Sequence, residues 1–325
     1  MNSNVNSSQD PSVCPRDFPL SYTKVQYEAS TFNDAVTAVI CIVNIITCPF
    51  AVVLNTLMFT AITRQPVLRS MKNISLLFLA VSDLLVCAVA QTSFIANEVN
   101  ILMNGRLLCT VIFAINLYTE LLCTGLSFFT LKVMTLERFA AIFAPYWFYK
   151  HATKVRTAIT YGAFWLIWTA YITIVKFIPK IPESTYTSVL SAFIFLNFFF
   201  TIIVYLKVNK LQKTAIVQPS RCPQSIARAL AQTKATRTVI YINTALFLSY
   251  FPVSIVVVIH TFGLVTNDVL IDHILYPISL TALFSSALVN PIIYSWRCSG
   301  IRASLRRLFK DQQLPSNGLP VQNRC

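Results

Sequence analysis

The sequence predicts an all-α membrane protein: a seven-transmembrane helix bundle followed by a short amphipathic eighth helix. Three observations predict it. Hydrophobic residues are 55% of the 325 residues and charged residues 12%, about half the charged share of a soluble domain. Seven segments are long and apolar enough to cross a bilayer. Lys and Arg gather in alternate connections between those segments. Such a chain cannot cover a water-facing surface with polar groups, so a soluble enzyme, a disordered tail and a disulfide scaffold are excluded. The net charge of +14 falls in membrane-flanking loops, which argues against a nucleic-acid partner.

A spanning helix needs about 20 apolar residues at a rise of ~1.5 Å each. Residues 35–63 carry no charge. Residues 73–97 carry only Asp83. Residues 107–131 carry only Glu120, and the helical pattern continues through Lys132 to the Glu137-Arg138 pair. Residues 157–175, 184–206, 238–267 and 274–296 carry none. These runs are too long and too uniformly apolar for barrel strands, which alternate at every second residue. In lipid a backbone must satisfy its own hydrogen bonds, so each segment is a helix. Residues 299–310 place Ile301, Leu305, Leu308 and Phe309 on one face and basic residues on the other, as in a helix lying in the membrane interface. The expected organisation is a tail over 1–33, the bundle over 34–296, and an amphipathic helix with tail over 297–325.

With the N-terminus outside, twenty of the 26 Lys and Arg fall on the inner side and five on the outer side. The positive-inside rule then puts the C-terminus in the cytoplasm. Asn6-Ser7-Ser8 is a glycosylation sequon on the outer tail. Of nine cysteines, Cys14 and Cys109 sit in aqueous outer positions; they form either a bridge from tail to third helix or two free thiols. No cleavable signal peptide is expected, because residues 1–32 lack an apolar core.

Polar groups inside membrane helices are costly and mark function by default. Here they fall in order: Asn55 in the first helix, Asp83 in the second, Glu137-Arg138-Phe139 ending the third, Trp165 in the fourth, Ser249-Tyr250-Phe251-Pro252 in the sixth, and Asn290-Pro291-Ile292-Ile293-Tyr294 in the seventh. This arrangement resembles the rhodopsin-like (class A) G-protein-coupled receptors from about residue 35 to 310. The resemblance implies a plasma-membrane receptor with an extracellular ligand, membrane lipids and a heterotrimeric G protein as partners. It implies that Glu137, Arg138, Tyr205, Pro252, Asn290, Pro291 and Tyr294 form the activation switch. Arg138 beside Glu137 suits an ion pair that holds the inner face shut, or an ordinary interfacial arginine whose head reaches water. Prolines in helices remove backbone hydrogen bonds and permit kinks. Asp83, Ser127, Ser286 and Asn290, with Asn55 near, match the family's sodium site. Their oxygens suit a hard cation; the alternative is a protonated Asp83. No cofactor beyond that allosteric ion is expected.

The sequence also departs from the family pattern. The second outer connection has no cysteine. Asn197 stands where the fifth helix usually has proline, and Tyr250 stands where the sixth usually has tryptophan. Phe284 replaces the retinal-bearing lysine of opsins, which excludes a Schiff-base light receptor. The short second outer loop is similar to that of the melanocortin, cannabinoid and lysophospholipid branch, so peptide and lipid ligands stay open. Glu120 lies 18 residues before Arg138, where amine receptors of the family carry a carboxylate. It pairs with a ligand ammonium, or with a proton or a cation such as Lys176 inside the protein. Asn116, Tyr250, Tyr276 and Phe284 are expected to line the same pocket. Lys132 is expected to snorkel or to meet a carboxylate.

A transporter would show internal repeats or broken helices, and an intramembrane enzyme would show a paired catalytic constellation. Neither pattern is present; His151, His260 and His273 are scattered. A decoy receptor that binds ligand without signalling is the remaining competitor. The topology predicts that Asn6→Gln abolishes a mobility shift sensitive to peptide-N-glycosidase. An unchanged shift would remove Asn6 as the acceptor.

Overall fold

The computed structural model describes residues 30–64, 71–104, 111–177, 247–259, 262–265, 270–297 and 299–311, with scattered helical positions in 192–210 and 240–245. In chain order the elements are α1 (Thr31–Arg64), α2 (Met71–Leu85), a π-helical turn (Val86–Gln91), α3 (Thr92–Asn104), α4 (Val111–Phe143) and α5 (Pro145–His151). There follow α6 (Lys154–Phe177), α7 (Phe247–Ile259), a second π-helical turn (Ile271–Leu275), α8 (Tyr276–Arg297) and α9 (Ser299–Asp311). No strand occurs among the described residues.

Five runs among the described residues are long and apolar enough to span a membrane: Thr31–Arg64, Ile74–Met103, Val111–Ala141, Lys154–Val175 and His273–Arg297. They are the first, second, third, fourth and seventh expected segments. α7 is the described part of the sixth, and Phe195, Phe199 and Phe200 of the fifth are helical. The fold is the seven-helix bundle that the sequence predicts.

α1 shows why these segments settle as they do. Ser30 caps it by accepting the Asn33 backbone N–H at 3.1 Å, which satisfies one of the orphan donors of a helix start. Asp34 in the first turn and Arg64 in the last oppose the helix dipole. One stripe, Asn44, Cys48, Ala51, Asn55, Met58 and Ile62, is buried; Ile42, Ile46, Phe50 and Val53 face outward. The buried stripe follows helical spacing, and the exposed face suits lipid.

α4 is the centre of the bundle and packs against α2, α3 and α6. Its contact with α6 is built on one small residue. The Trp168 indole lies over Gly125 and donates to the carbonyls of Leu122 at 3.1 Å and Leu121 at 3.3 Å. A further turn along, the Trp165 indole donates to Thr130 Oγ1 at 2.9 Å.

α9 is the expected amphipathic helix. Ile301 and Ser304 are buried while Arg302, Arg306 and Arg307 face outward. The Ser304 hydroxyl donates to the Ala61 carbonyl at 3.0 Å and ties α9 to α1. The Phe309 side chain lies outside the described residues.

Three features differ from the sequence expectation. The second helical run continues to Asn104, beyond residue 97, through the π turn. α4 continues to Phe143. α5 appears where the sequence showed only a connection, because Pro145 occupies the first helical position, where its missing N–H and fixed φ are favourable.

A methyl at Gly125 overlaps the Trp168 indole, whereas one at Gly162 meets nothing within 4 Å. Overpacking costs roughly 1–3 kcal/mol, and an open helical Gly→Ala change gains up to about 1 kcal/mol. Gly125→Ala is therefore expected to lower the melting temperature of the purified protein and Gly162→Ala to hold or raise it. The opposite order would contradict the α4–α6 packing.

Candidate functional site

The buried polar residues that the sequence singles out fall into three groups along the bundle. The middle group centres on Asp83 of α2, 1% exposed. The Ser127 hydroxyl of α4 donates to Oδ1 at 2.7 Å, and the Asn290 amide of α8 donates to Oδ2 at 2.8 Å. One carboxylate therefore fixes three helices. Ser286 is buried one turn before Asn290 but makes no hydrogen bond to Asp83. Asn55 is buried beside the group and does not bond the carboxylate. Its Nδ2 donates to the Ala287 carbonyl at 2.8 Å and to the Ala51 carbonyl at 2.9 Å. The Ala287 carbonyl lies four residues before Pro291, so it is the acceptor that Pro291, lacking an N–H, leaves unmatched. Asn55 supplies the donor from another helix. The Asn290 Oδ1 is buried without a hydrogen-bond partner.

The second group lies toward the Asn104 end. Glu120 on α4 is 4% exposed. Tyr276 of α8 donates its hydroxyl to Glu120 Oε1 at 2.8 Å. Asn116, one turn from Glu120, is buried and accepts from Ser93 Oγ at 3.4 Å. On the other side, the Thr124 hydroxyl donates to the Glu120 backbone carbonyl at 2.6 Å. Tyr250 of α7 donates to the Thr124 carbonyl at 2.7 Å, and its ring lies 5.6 Å from that of Phe128. Phe284 packs on Phe94 at 5.4 Å. Of the expected pocket residues, Glu120 and Tyr276 are in direct contact. Asn116 and Tyr250 bracket them on either side, and Phe284 belongs to the apolar core.

The third group lies at the Arg138 end. Glu137 Oε2 accepts the hydroxyl of Ser75 on α2 at 2.6 Å and of Tyr161 on α6 at 3.4 Å. The Arg138 side chain and Tyr205 lie outside the described residues. Tyr294 is buried in the main core. Pro252 stands inside α7, where the carbonyl four residues back is that of Leu248.

Lys132 departs from expectation. Among the described residues its nitrogen meets no carboxylate and no hydrogen-bond acceptor; it is buried 3.8 Å above the Phe128 ring centroid, a cation–π geometry. Its own helix supplies the ring, one turn earlier.

Several buried polar residues escaped the sequence reading. Gln91, in the π turn, donates to Asn44 Oδ1 at 2.9 Å and Thr47 Oγ1 at 3.0 Å. Asn44 in turn donates to Thr281 Oγ1 at 2.8 Å. Glu98, 4% exposed, and His273 are also buried toward the Asn104 end. Glu98 fell one residue past the expected segment, where a charge counts as ordinary loop chemistry. Cys14, Cys109 and Asn6 lie outside the described residues. Cys41, Cys48, Cys87 and Cys123 are buried free thiols.

Residues 54–294 match the family model of the seven-transmembrane receptors, rhodopsin family. The chain belongs to that family; it is a class A G-protein-coupled receptor and a multi-pass membrane protein. No curated protein matches it.

Asn55 and Pro291 form a testable couple. Leaving a buried carbonyl unsatisfied costs about 1–3 kcal/mol. Asn55→Ala is expected to destabilise the protein by that amount. In a Pro291→Ala background the helix supplies its own N–H, and the Asn55 cost falls to less than half. Equal costs in both backgrounds, read by thermal unfolding in detergent, would sever the link.

Proposed function

We propose that the chain is a plasma-membrane receptor, N-terminus outside, whose ligand enters the bundle beside Glu120 and whose inner face activates a heterotrimeric G protein. The observation that carries this reading is α4 itself. One continuous helix bears a buried carboxylate toward one end and the Glu137-Arg138 pair at the other, 18 residues apart, or about 27 Å at helical rise. Glu120, held by the Tyr276 hydroxyl, offers a counter-ion to a ligand ammonium. Asn116 and Tyr276 line the approach and Tyr250 closes the floor. Phe284 supports the wall through Phe94.

Ligand binding favours whichever bundle arrangement it fits better. Tyr250 joins α7 to α4 through one hydrogen bond, so a tilt of α7 at Pro252 strains the pocket floor first. At the other end, Glu137, Arg138, Tyr205 and Tyr294 reorganise to admit the G protein, with Asn290 and Pro291 as the flexing point of α8.

Asp83, Ser127, Ser286 and Asn290 fit a sodium ion. They offer a carboxylate, two hydroxyls and an amide oxygen, and the buried Asn290 Oδ1 still lacks a partner. Bound there, an ion would supply the positive charge that the buried Asp83 carboxylate otherwise lacks.

The test is a panel of amines, peptides and lysolipids on cells reporting cyclic AMP and calcium, with surface expression matched. A charge-assisted hydrogen bond is worth about 1.5–3 kcal/mol, so Glu120→Gln is expected to cut amine potency about tenfold or more. Arg138→Ala is expected to silence signalling with binding retained. A peptide or lipid response that survives Glu120→Gln would replace the amine reading. Ligand binding without any signal would make the chain a decoy.

For the ion, exchanging choline chloride for sodium chloride is expected to raise the melting temperature of the wild type and leave Asp83→Asn unmoved. A sodium effect in both, or in neither, would contradict the site.

A further inference from the structure

We infer that Glu98 and Asn97 form a second cation subsite, and that the ligands this receptor prefers carry two ammonium groups. The inference rests on the reading of Glu120 as the first counter-ion.

Glu98 stands on α3 as a further buried carboxylate, 4% exposed. Its one hydrogen bond is from the Asn97 amide to Oε1 at 3.4 Å, too long to hold a buried charge. No basic side chain pairs with it among the described residues. Asn97 supplies an independent observation. It is 4% exposed, its Nδ2 touches Glu98, and its Oδ1 is buried with no partner. One amide head therefore places an unmatched acceptor beside an under-bonded carboxylate. Both need N–H donors, and an ammonium brings three of them with the charge that the carboxylate requires. A neutral donor can satisfy the Asn97 oxygen but brings no charge to the carboxylate, and an anion suits neither group.

The register between the two carboxylates sets the ligand's length. Ser93 of α3 and Thr119 of α4 are hydroxyl to hydroxyl at 2.7 Å, and Thr119 precedes Glu120. Glu98 lies five residues beyond Ser93 on a regular α-helix, and Glu120 one residue the other way on the oppositely running α4, so the two carboxylates stand at least about 9 Å apart along the bundle. A ligand joining the two sites holds its nitrogens at least roughly that far apart, which corresponds to a spacer of about seven methylenes at the ~9 Å span. Asn116, which contacts Ser93, lies between them.

The experiment compares diaminopropane, diaminopentane and diaminoheptane with propylamine, pentylamine and heptylamine. Thermal stabilisation of the full-length chain in lipid nanodiscs is read beside G-protein signalling in cells. The expected result is that diaminoheptane outperforms heptylamine by tenfold or more, while diaminopropane gains nothing. Glu98→Gln and Asn97→Leu are expected to reduce the longer diamines to the level of the monoamines, with monoamine potency unchanged. Two variants are used so that loss of folding in one leaves the other informative.

A diamine-to-monoamine ratio that is unchanged in both variants would overturn the subsite. So would equal potency of diamines and monoamines on the wild type. Monoamine responses that ignore Glu120→Gln overturn the first counter-ion instead. In that case a diamine response lost in Glu98→Gln still supports the second. Failure of every amine to stabilise or activate the wild type overturns both.

Discussion

A carboxylate inside a lipid-embedded bundle has to be held, and Asp83 is held by side chains of two other helices. That constraint sets the register of the structure. Ser127 fixes how far α4 slides along α2, and Asn290 fixes α8 against both. Asn55 then anchors α1 by occupying the carbonyl that Pro291 releases in α8. The residue that bonds the carboxylate and the residue that breaks the helix are neighbours, Asn290 and Pro291. The point at which α8 is held is therefore also the point at which it bends. A change in Asp83's partners is a change in the shape of α8.

The link from this knot to the pocket runs along one face of α4. Asn116, Glu120, Thr124, Phe128 and Lys132 recur at every fourth residue. Glu120's carbonyl receives the Thr124 hydroxyl, Thr124's carbonyl receives Tyr250, Tyr250 packs on Phe128, and Phe128 carries the Lys132 ammonium. A contiguous chain of contacts is not proof of coupling. It does identify the element that both ends bias. α7 meets this stripe through Tyr250, so on the proposed reading a ligand at Glu120 and an opening at Arg138 would act on the same contact.

The fold was legible because lipid leaves few choices: seven apolar runs become seven helices. Asp83, Ser127 and Asn290 were legible as a group because intramembrane polar residues are rare and their spacing matches a family. Glu120 was legible for the same reason, but its partner was not. Tyr276 was expected in the same pocket, and only the three-dimensional path of α8 shows that its hydroxyl bonds the Glu120 carboxylate. Ser286 was placed with the carboxylate, yet its hydroxyl is not among Asp83's partners. Glu98 was lost at a boundary, because the π turn and the helical continuation to Asn104 extend the buried run past the expected end. Gln91 and Asn44 were passed over because an uncharged amide in an apolar run gives no signal until its partner on another helix is known. Lys132 broke the usual rules: a charge was expected to find water or a carboxylate, and it found a ring one turn back on its own helix.

The central claim is that this bundle passes an event at Glu120 to the Arg138 end as nucleotide exchange. The most direct measurement is GTPγS uptake by purified heterotrimers of each main G-protein class, with the full-length chain reconstituted alone in lipid nanodiscs. The account predicts uptake faster than with empty nanodiscs for at least one class, raised further by whichever panel amine binds the chain and abolished in Arg138→Ala. Rates equal to empty nanodiscs for every class, with an amine shown to be bound, would contradict it.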